Sequence, residues 1–379
     1  MGTFTRQQID AMRLKFAEIQ KGAAMGISPV RKAEIGPQPG DMHVNAILTN
    51  IMLAYLQDQK NFVAKRVFPI VPTQKQSDTY FKINKGDWNR DVARARANGA
   101  PAAAAGYSVS TDTYFCDIYA AKKAVTDQDT ANADNPLNPD TAATQFVANA
   151  LLLRREMLWI GSYLKGSVWS LNPVGAAYGT SPTFPNFVNW DDYGSTTDGS
   201  GTRTYNSNPP HDVARWRSLI KKSTGFKPNK MAITDDVFVA LQNHPLIIDR
   251  VKYTHGEIMV EEITEEILAG LFGLNELLVI GGVVNTANAG QTDAMNFMAN
   301  NKALLVYAAP APSLWTPSAG YTFAYTNYVG ASAEGSRIKK YRWEEIAGSY
   351  VEGELAVDQK LVAADLGCYI SSILASPNT

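Results

Sequence analysis

The sequence contains few of the residues that build catalytic and metal sites. Its 379 residues include only two cysteines, Cys116 and Cys368, which lack metal-ligand spacing and are too few for a secreted disulfide framework. None of its four histidines lies in a zinc motif, and glycine-rich phosphate loops and nucleophile elbows are missing. We therefore predict a protein that is not an enzyme and that uses no catalytic residues, no cofactor and no metal.

Charge is also scarce, and its two signs balance. Charged residues make up 19% of the chain, below the usual quarter, and 35 Lys and Arg face 36 Asp and Glu for a net charge of -1. The missing basic excess argues against sequence-specific DNA binding as the function of the whole chain. Residues 1–16 contain no apolar core of a signal peptide, and the longest apolar run, residues 277–284, is too short to cross a bilayer. We expect a protein of a reducing cytoplasm without a membrane partner.

Two stretches lack the pattern of an independent core. Residues 172–210 are rich in Gly, Pro, Ser, Asn and Thr, and residues 1–66 combine a Gly- and Pro-punctuated segment with a helical pattern over 45–59. One face of that helical pattern carries Ile47, Ile51, Ala54 and Tyr55. Residues 1–66 are therefore either a flexible tail or an arm that becomes ordered against a neighbouring subunit.

Residues 73–125 have the pattern of a long hairpin. A short rising strand contains Tyr80, Phe81 and Ile83, and a longer returning strand places Tyr114, Cys116 and Ile118 on one face. The polar and Ala-rich stretch between the strands is too long for a loop of a compact domain unless it has a function. It carries three arginines that are either solvated or docked on an acidic neighbour: Arg90, Arg94 and Arg96.

The strongest local pattern predicts a long helix over residues 140–164. Apolar residues recur there with spacings of 4, 3, 4, 3 and 4, at Phe146, Ala150, Leu153, Met157, Ile160 and Leu164. At 1.5 Å per residue the helix is about 37 Å long, with Asp140 or Thr141 as its N-cap and Gly166 after its end. Because the seam is shorter than three or four heptads, it favours a single helix lying on a sheet over a coiled coil.

The second half alternates helices and strands and contains an acidic region. A helix carries Val213, Trp216 and Ile220 on one face, another begins at Thr234 as N-cap, and His244 ends it where the helix dipole favours a protonated histidine. Buried strands and C-terminal strands complete an α+β pattern. Residues 253–301 contain no Lys or Arg but seven acidic residues, namely Glu257, Glu261, Glu262, Glu265, Glu266, Glu276 and Asp293.

The acidic region has two interpretations. It is either a solvated helix face or one half of a complementary contact that sets register and orientation. In the second case the other half would be the arginines of 90–96, the N-terminal segment, or Lys339 and Lys340.

This order of parts resembles the major capsid proteins of tailed bacteriophages, whose shell fold is shared with encapsulins. The closest local match comprises WDDYGS at 190–195, the segment 211–254 and LLVIGGVV at 277–284. The resemblance implies an α+β fold with five parts along the chain. They are an N-terminal arm (1–66), an extended loop hairpin (67–130), a peripheral domain (131–234, with a spine helix at 140–164 and the irregular insertion 172–210), an axial domain (235–335) and a C-terminal return to the peripheral domain (336–379).

The same resemblance implies a structural protein that self-assembles into hexamers and pentamers of an icosahedral phage head enclosing double-stranded DNA. Expected partners are further copies of the chain, a scaffolding protein, a portal, a decoration protein, and packaged DNA contacted non-specifically. The location would be the virion capsid, assembled in the host cytoplasm. Candidates for contacts between subunits are Arg90, Arg94, Arg96, Glu261, Glu262, Glu265 and Glu266.

Three other interpretations stay open at this point. An encapsulin-like shell of a cellular compartment has the same fold, and a tail or surface-binding protein shares the loop-rich composition. An enzyme is the third, although no catalytic constellation supports it. The long helix argues against a tail tube.

Overall fold

The computed structural model describes residues 60–99, 101–133, 138–197, 203–255, 263–288, 290–313, 316–330 and 334–376. The helices of this part are α1 (Ala64–Val67), α2 (Lys85–Trp88), α3 (Asp127–Ala131), α4 (Pro139–Tyr163), α5 (Pro209–Thr224), α6 (Asp235–Gln242), α7 (Pro245–His255), α8 (Glu265–Phe272) and α9 (Thr326–Val329).

The strands of the described part alternate with these helices. They are β1 (Ile70–Thr73), β2 (Ser77–Ile83), β3 (Val109–Phe115), β4 (Asp117–Thr126), β5 (Gly175–Ala176), β6 (Phe187–Val188), β7 (Ser195–Thr197), β8 (Arg203–Tyr205), β9 (Lys230–Thr234), β10 (Glu276–Ile280), β11 (Val283–Asn285), β12 (Met295–Phe297), β13 (Lys302–Val306), β14 (Gly320–Tyr325), β15 (Ser336–Trp343), β16 (Gly348–Leu361) and β17 (Gly367–Ser371).

The larger sheet is organised around β16. Strands β15 and β14 pair with it antiparallel, β4 pairs with it antiparallel over residues 117–126, and β1 pairs parallel with β14. Helix α4 lies across this sheet, with Ala148 and Leu151 packed in one core with Val351 and Leu355 of β16. The predicted long helix on a sheet is therefore present.

The face by which α4 packs differs from the predicted apolar seam. Phe146 is 62% exposed and Met157 is 42% exposed, whereas Val147 and Leu151 are buried. The helix is apolar on two faces, and the sheet receives the one where Gly353 of β16 leaves room for Val147 and Leu151. The N-cap also differs, because Asn138 accepts hydrogen bonds from the amides of Asp140 and Thr141 at 3.0 and 3.3 Å.

The second sheet has the order β10-β9-β13-β17. One face packs against α5, α6, α7 and α8, with Trp190, Trp216 and Met231 among its fully buried side chains. The other face packs against α1 and the C-terminal end of α4, through Trp159 and Tyr163. The predicted inward face of α5, which carries Val213, Trp216 and Ile220, is buried as expected.

This second core crosses two of the predicted boundaries along the chain. Strand β9 ends at Thr234 and pairs with β13, and β17 joins the same sheet from beyond residue 336. The second core is therefore continuous across both predicted boundaries, the one between residues 234 and 235 and the one between residues 335 and 336. The five-part division itself stays a prediction, and most of its first part lies outside the described residues.

Close packing of α4 on β16 makes Gly353 sensitive to any side chain. A Cβ at this position would overlap Val147 Cγ1 and would lie 2.9 Å from Leu151 Cδ1. We expect Gly353→Ala to lower the free energy of unfolding by about 1–3 kcal/mol, as overpacked cores do, when measured by urea unfolding. Gly270→Ala is the matched control, because its Cβ meets open space in α8 and should raise stability by about 0.5–1 kcal/mol. Equal stability of both variants would contradict the packing argument.

Candidate subunit interface

The predicted hairpin is a two-stranded ribbon that extends the larger sheet. Strands β2 and β3 pair antiparallel from Ser77↔Phe115 to Ile83↔Val109, and β3 continues through Cys116 into β4. At the base, the Cys116 amide donates to Gln76 O at 2.8 Å. Tyr114 stacks on Phe323 of β14 with ring centroids 4.4 Å apart. Among the three residues predicted to share a face, Tyr114 and Cys116 are buried, while Ile118 is exposed.

The two faces of the ribbon differ in chemistry. Because cross-strand partners project to the same side, the register separates two sets of residues. The uncharged ribbon face consists of seven exposed residues, Ser77, Thr79, Phe81, Val109, Thr111, Thr113 and Phe115. Phe81 is 63% exposed and Phe115 is 55% exposed. A two-stranded ribbon is marginally stable alone, so such a face is suited to packing against another surface.

The opposite, polar ribbon face is occupied by contacts within the chain. Lys82 Nζ donates to Asp112 Oδ2 at 2.6 Å, and the Tyr80 hydroxyl donates to the same oxygen at 3.0 Å. These contacts, that of Lys82 above all, lower the pKa of Asp112 to about 2. Burial and the Asp112 carboxylate raise the pKa of Tyr80 well above its usual value. This face therefore stabilises the ribbon itself.

The ribbon ends in a fully exposed segment. Asp87 Oδ2 accepts the Ser108 amide at 2.9 Å, and the rings of Trp88 and Tyr107 lie 5.6 Å apart, so the strand ends are joined just before the loop. All described residues of the segment 88–111 are exposed. The loop is thus projected away from the two cores.

The three predicted arginines all belong to this loop. Arg90 is 3.8 Å from the half-buried Asp87, and Arg94 is 3.7 Å from the exposed Asp91. Both arginines are exposed and lie three residues from their partners. Ion pairs near the surface contribute little to stability, so both arginines can exchange their local partner for another one. Arg96 is exposed. Their proposed contact with an acidic neighbour stays a prediction.

The acidic candidates are only partly described. Residues 256–262, which include Glu257, Glu261 and Glu262, lie outside the described residues. Glu265 and Glu266 form the first turn of α8, where carboxylates stabilise the helix dipole. The structure does not bring them to the arginine loop of the same chain.

Lys339 and Lys340, the alternative partners of the acidic region, have partners within the chain. Lys339 Nζ lies 2.8 Å from Glu354 and 3.3 Å from Glu352, and Lys340 Nζ lies 2.7 Å from Asp140. A contact with the acidic region would break these pairs. All three alternatives for the partner of the acidic region stay predictions.

The titratable groups of the described residues serve the fold. Within this part of the chain no group of His, Cys, Asp and Glu has the arrangement of a metal site, and no helix is long and apolar enough to cross a membrane. His244 is fully buried, with Nε2 2.9 Å from Ser207 Oγ and Nδ1 accepting the Leu246 amide at 3.2 Å. Ser207 Oγ in turn donates to Asp192 O at 2.7 Å.

His244 is therefore neutral, which corrects the expectation of a protonated histidine at a helix end. Burial lowers its pKa to about 4, and the dipole of the eight-residue α6 does not offset that cost. Its proton lies on Nε2, because Nδ1 accepts a hydrogen bond. The side chain ties the β7–β8 insertion to α6 and α7, and the 172–210 insertion is part of the second core through Phe187 and Trp190.

Comparison with known proteins identifies the fold. No family model and no curated protein matches the sequence. The chain is similar to a phage-related protein from Bordetella bronchiseptica RB50, at 20% identity over 88% of this chain and 98% of that chain, with a TM-score of 0.62. Further similar structures are the capsid of the cyanophage P-SCSP1u (9% identity, 91% and 93% covered, TM-score 0.48) and the SrpI encapsulin complex from Synechococcus elongatus PCC 7942 (10% identity, 94% and 97% covered, TM-score 0.45).

These similarities show the fold alone. The predicted α+β class and the resemblance to a phage-protein fold are confirmed at that level. The uncharged ribbon face was not found from the sequence, although alternating Thr and aromatic residues at 77–83 and 109–115 are a readable period of two. Only the register between the two strands, which the alternation does not reveal, places these residues together on one surface.

The neutral state of His244 predicts an acid-sensitive contribution to stability. Its pKa falls from about 6.5 in the unfolded chain to about 4 when folded, so the contribution is complete above pH 6.5 and is lost as the pH falls towards 4. We expect the difference in unfolding free energy between the wild type and His244→Gln to shrink by up to about 3 kcal/mol over that interval. Urea unfolding at several pH values measures it. A difference independent of pH would show that His244 titrates normally in the folded protein.

Proposed function

We propose that this chain is the major capsid protein of a tailed phage, which self-assembles into hexamers and pentamers of an icosahedral head around double-stranded DNA. The observation that carries the proposal is the uncharged ribbon face, held out from the body of the subunit on a base of Tyr114, Cys116 and Phe323. Its exposed Phe81, Val109 and Phe115 form a projecting set of apolar side chains, and exposed apolar groups of this kind mark protein–protein contacts. The fold likeness to a phage-related protein agrees with this function.

The physical properties of the ribbon suit assembly from many copies. A shell has to correct errors, so each contact is weak and closure comes from many contacts acting together. Thr and aromatic residues supply apolar area without the desolvation cost of buried charge. The near-neutral net charge suits a wall that encloses DNA without binding its sequence.

The remaining expectations belong to the same proposal. The arginine loop would contact an acidic surface of a neighbouring copy, with Glu265 and Glu266 as candidates on that surface. A scaffolding protein, a portal and a decoration protein would be the other partners. The chain itself would have no enzymatic activity. The location would be the virion, with assembly in the host cytoplasm.

An encapsulin-like shell of a cellular compartment is the alternative. It would use the same subunit contacts and enclose protein cargo instead of DNA. Negative-stain electron microscopy of the expressed protein tests both, because closed shells, rings or sheets are expected and a monodisperse monomer contradicts them. Nuclease-protected DNA in particles from an infected host separates a phage head from a compartment that holds an enzyme.

Removing the exposed loop tests whether the ribbon end joins subunits. We expect deletion of residues 87–106 to leave the subunit folded by circular dichroism but to abolish shells in electron micrographs. The described residues of this segment are exposed from Trp88 onward, and none of them belongs to the buried clusters of the two sheets or of the ribbon base. Normal particles from this variant would contradict the role of the loop.

Adjacent positions on β3 give a matched test of the ribbon face. Thr111 belongs to the uncharged face and Ser110 to the polar face, and both are exposed. We expect Thr111→Glu to reduce the yield of shells at least tenfold and Ser110→Glu to leave it near the wild-type level, counted by electron microscopy and sedimentation. Both substitutions should change stability by less than about 0.5 kcal/mol, as at other exposed sites. Equal loss in both variants would assign the effect to charge on the ribbon in general.

A further inference from the structure

The C-terminal end of α5 carries a concentration of positive charge that the contacts described above do not use. Residues 213–234 contain six Lys and Arg and no Asp or Glu, whereas the two signs balance over the whole chain. The six are Arg215, Arg217, Lys221, Lys222, Lys227 and Lys230. They lie on α5, on the turn that follows it and at the first residue of β9. Three of the six bind within the subunit and three do not.

The two arginines of this segment belong to the fold. The guanidinium of Arg215 lies over the ring of Phe184, 3.7 Å from the ring centroid. Arg217 Nη1 donates to Phe272 O at 2.6 Å, where α8 ends. Bidentate arginine is the commonest reader of guanine in the major groove, and here both guanidinium groups are already placed against the subunit.

The three remaining lysines of the helix end are exposed. The ammonium groups of Lys221, Lys222 and Lys227 make no hydrogen bond or ion pair within the part of the chain that the structure describes. The helix end is closed without them, because Gly225, in the left-handed conformation, donates its amide to Lys221 O at 2.8 Å. The Thr224 hydroxyl donates to a carbonyl one turn earlier at 2.7 Å. We call these three residues the α5 lysine group.

The surroundings of the α5 lysine group fix its position and add to its charge. The ring of Phe226 lies 5.0 Å from the ring of Tyr307, which holds the turn after α5 against the second sheet. Lys230 Nζ and Arg66 Nη2 each lie 2.9 Å from an oxygen of Glu276. Two cations on one carboxylate leave one positive charge in excess, so this contact does not neutralise the lysines beside it.

The chemistry of the α5 lysine group fits phosphate better than another protein surface. Lysine is depleted at protein–protein interfaces, whereas its ammonium group is a common point-charge ligand of phosphate. Contacts to phosphate hold a protein on a duplex but carry no sequence information. The group is therefore suited to DNA of any sequence, in agreement with the missing basic excess of the whole chain.

We propose that Lys221, Lys222 and Lys227 bind the phosphate backbone of duplex DNA without sequence preference. The inference rests on the proposed function, because the proposed head encloses such DNA. The end of the second sheet at which α5 ends then faces the interior of the head. Three phosphate contacts give a weak interaction whose logarithm falls with the logarithm of the salt concentration with a slope of about −3. Many copies around one DNA molecule add these weak contacts together.

A titration of a short labelled duplex of mixed sequence with dispersed full-length subunits tests the contact by fluorescence anisotropy. We expect Lys221→Gln/Lys222→Gln to weaken binding at low salt at least tenfold and to reduce the salt slope by about 2, because two phosphate contacts are lost. Lys221→Arg/Lys222→Arg should keep the wild-type slope, since both charges are kept.

Lys122→Gln/Lys123→Gln is the matched control. These two lysines form another exposed adjacent pair, on β4 of the larger sheet, so the variant loses the same net charge. We expect its affinity for the duplex to stay within twofold of the wild type. Equal losses in the two glutamine variants, or an unchanged slope in Lys221→Gln/Lys222→Gln, overturn the proposal.

The yield of shells separates this contact from a protein contact and from the proposed function. We expect Lys221→Gln/Lys222→Gln to form shells at the wild-type yield in electron micrographs. A loss of shells with unchanged DNA binding would assign the lysines to an acidic surface of a neighbouring copy and overturn the proposal. Shells from a wild type that binds no duplex would overturn it as well and leave the proposed function standing. A wild type that forms no shells contradicts the proposed function, while the duplex titration still decides the lysine contact.

Discussion

The pairing of β16 is the constraint on which the larger sheet depends. Arg337 and Lys339 of β15 both bind Glu354 of β16, and the Tyr328 hydroxyl donates to the same carboxylate. Burial raises the pKa of Glu354, but the bonds from Lys339 and Arg337 outweigh it and hold the pKa below its usual value. Loss of one partner from such a buried group costs about 3–5 kcal/mol, so a register shift between β15 and β16 is strongly disfavoured.

The fixed register of β16 also fixes the direction of the ribbon. Strand β4 pairs with β16 along its other edge and continues through Cys116 into β3. Asp358 of β16 accepts the Phe115 amide at 3.0 Å, which ties the last residue of β3 to the sheet. The uncharged ribbon face is thus presented in one orientation before any partner arrives. A preorganised surface loses less conformational entropy on binding, so a small contact area can be enough for stable association.

The sequence predicted elements better than faces, and α4 shows why. Its period correctly indicated one long helix at nearly the right residues, but two apolar stripes satisfy the same spacing. Which stripe turns inward depends on Gly353 of β16, about 200 residues later in the chain, whose missing side chain admits Val147 and Leu151. Local periodicity contains no information about that contact.

The strands of the ribbon show the same difference between predicting an element and predicting its faces. Both strands were recognisable from their alternation, and the loop between them from its length. Their chemistry as a surface depends on register, because a shift of one residue would place Phe81 on the same side as Asp112. The charge of the arginines was readable from the sequence, whereas the uncharged ribbon face became visible only with the register of the two strands.

Two buried groups act on stability in opposite directions with pH. Burial raises the pKa of Glu156 to about 7, and the amides of Val63 and Ala64 only partly offset this effect. A carboxyl with a raised pKa contributes most below about pH 4.5, and that contribution is lost as the pH rises through 7. The neutral His244 contributes most above pH 6.5. Their slopes oppose each other between pH 4.5 and 6.5, so the pH dependences of these two contributions partly cancel in that interval.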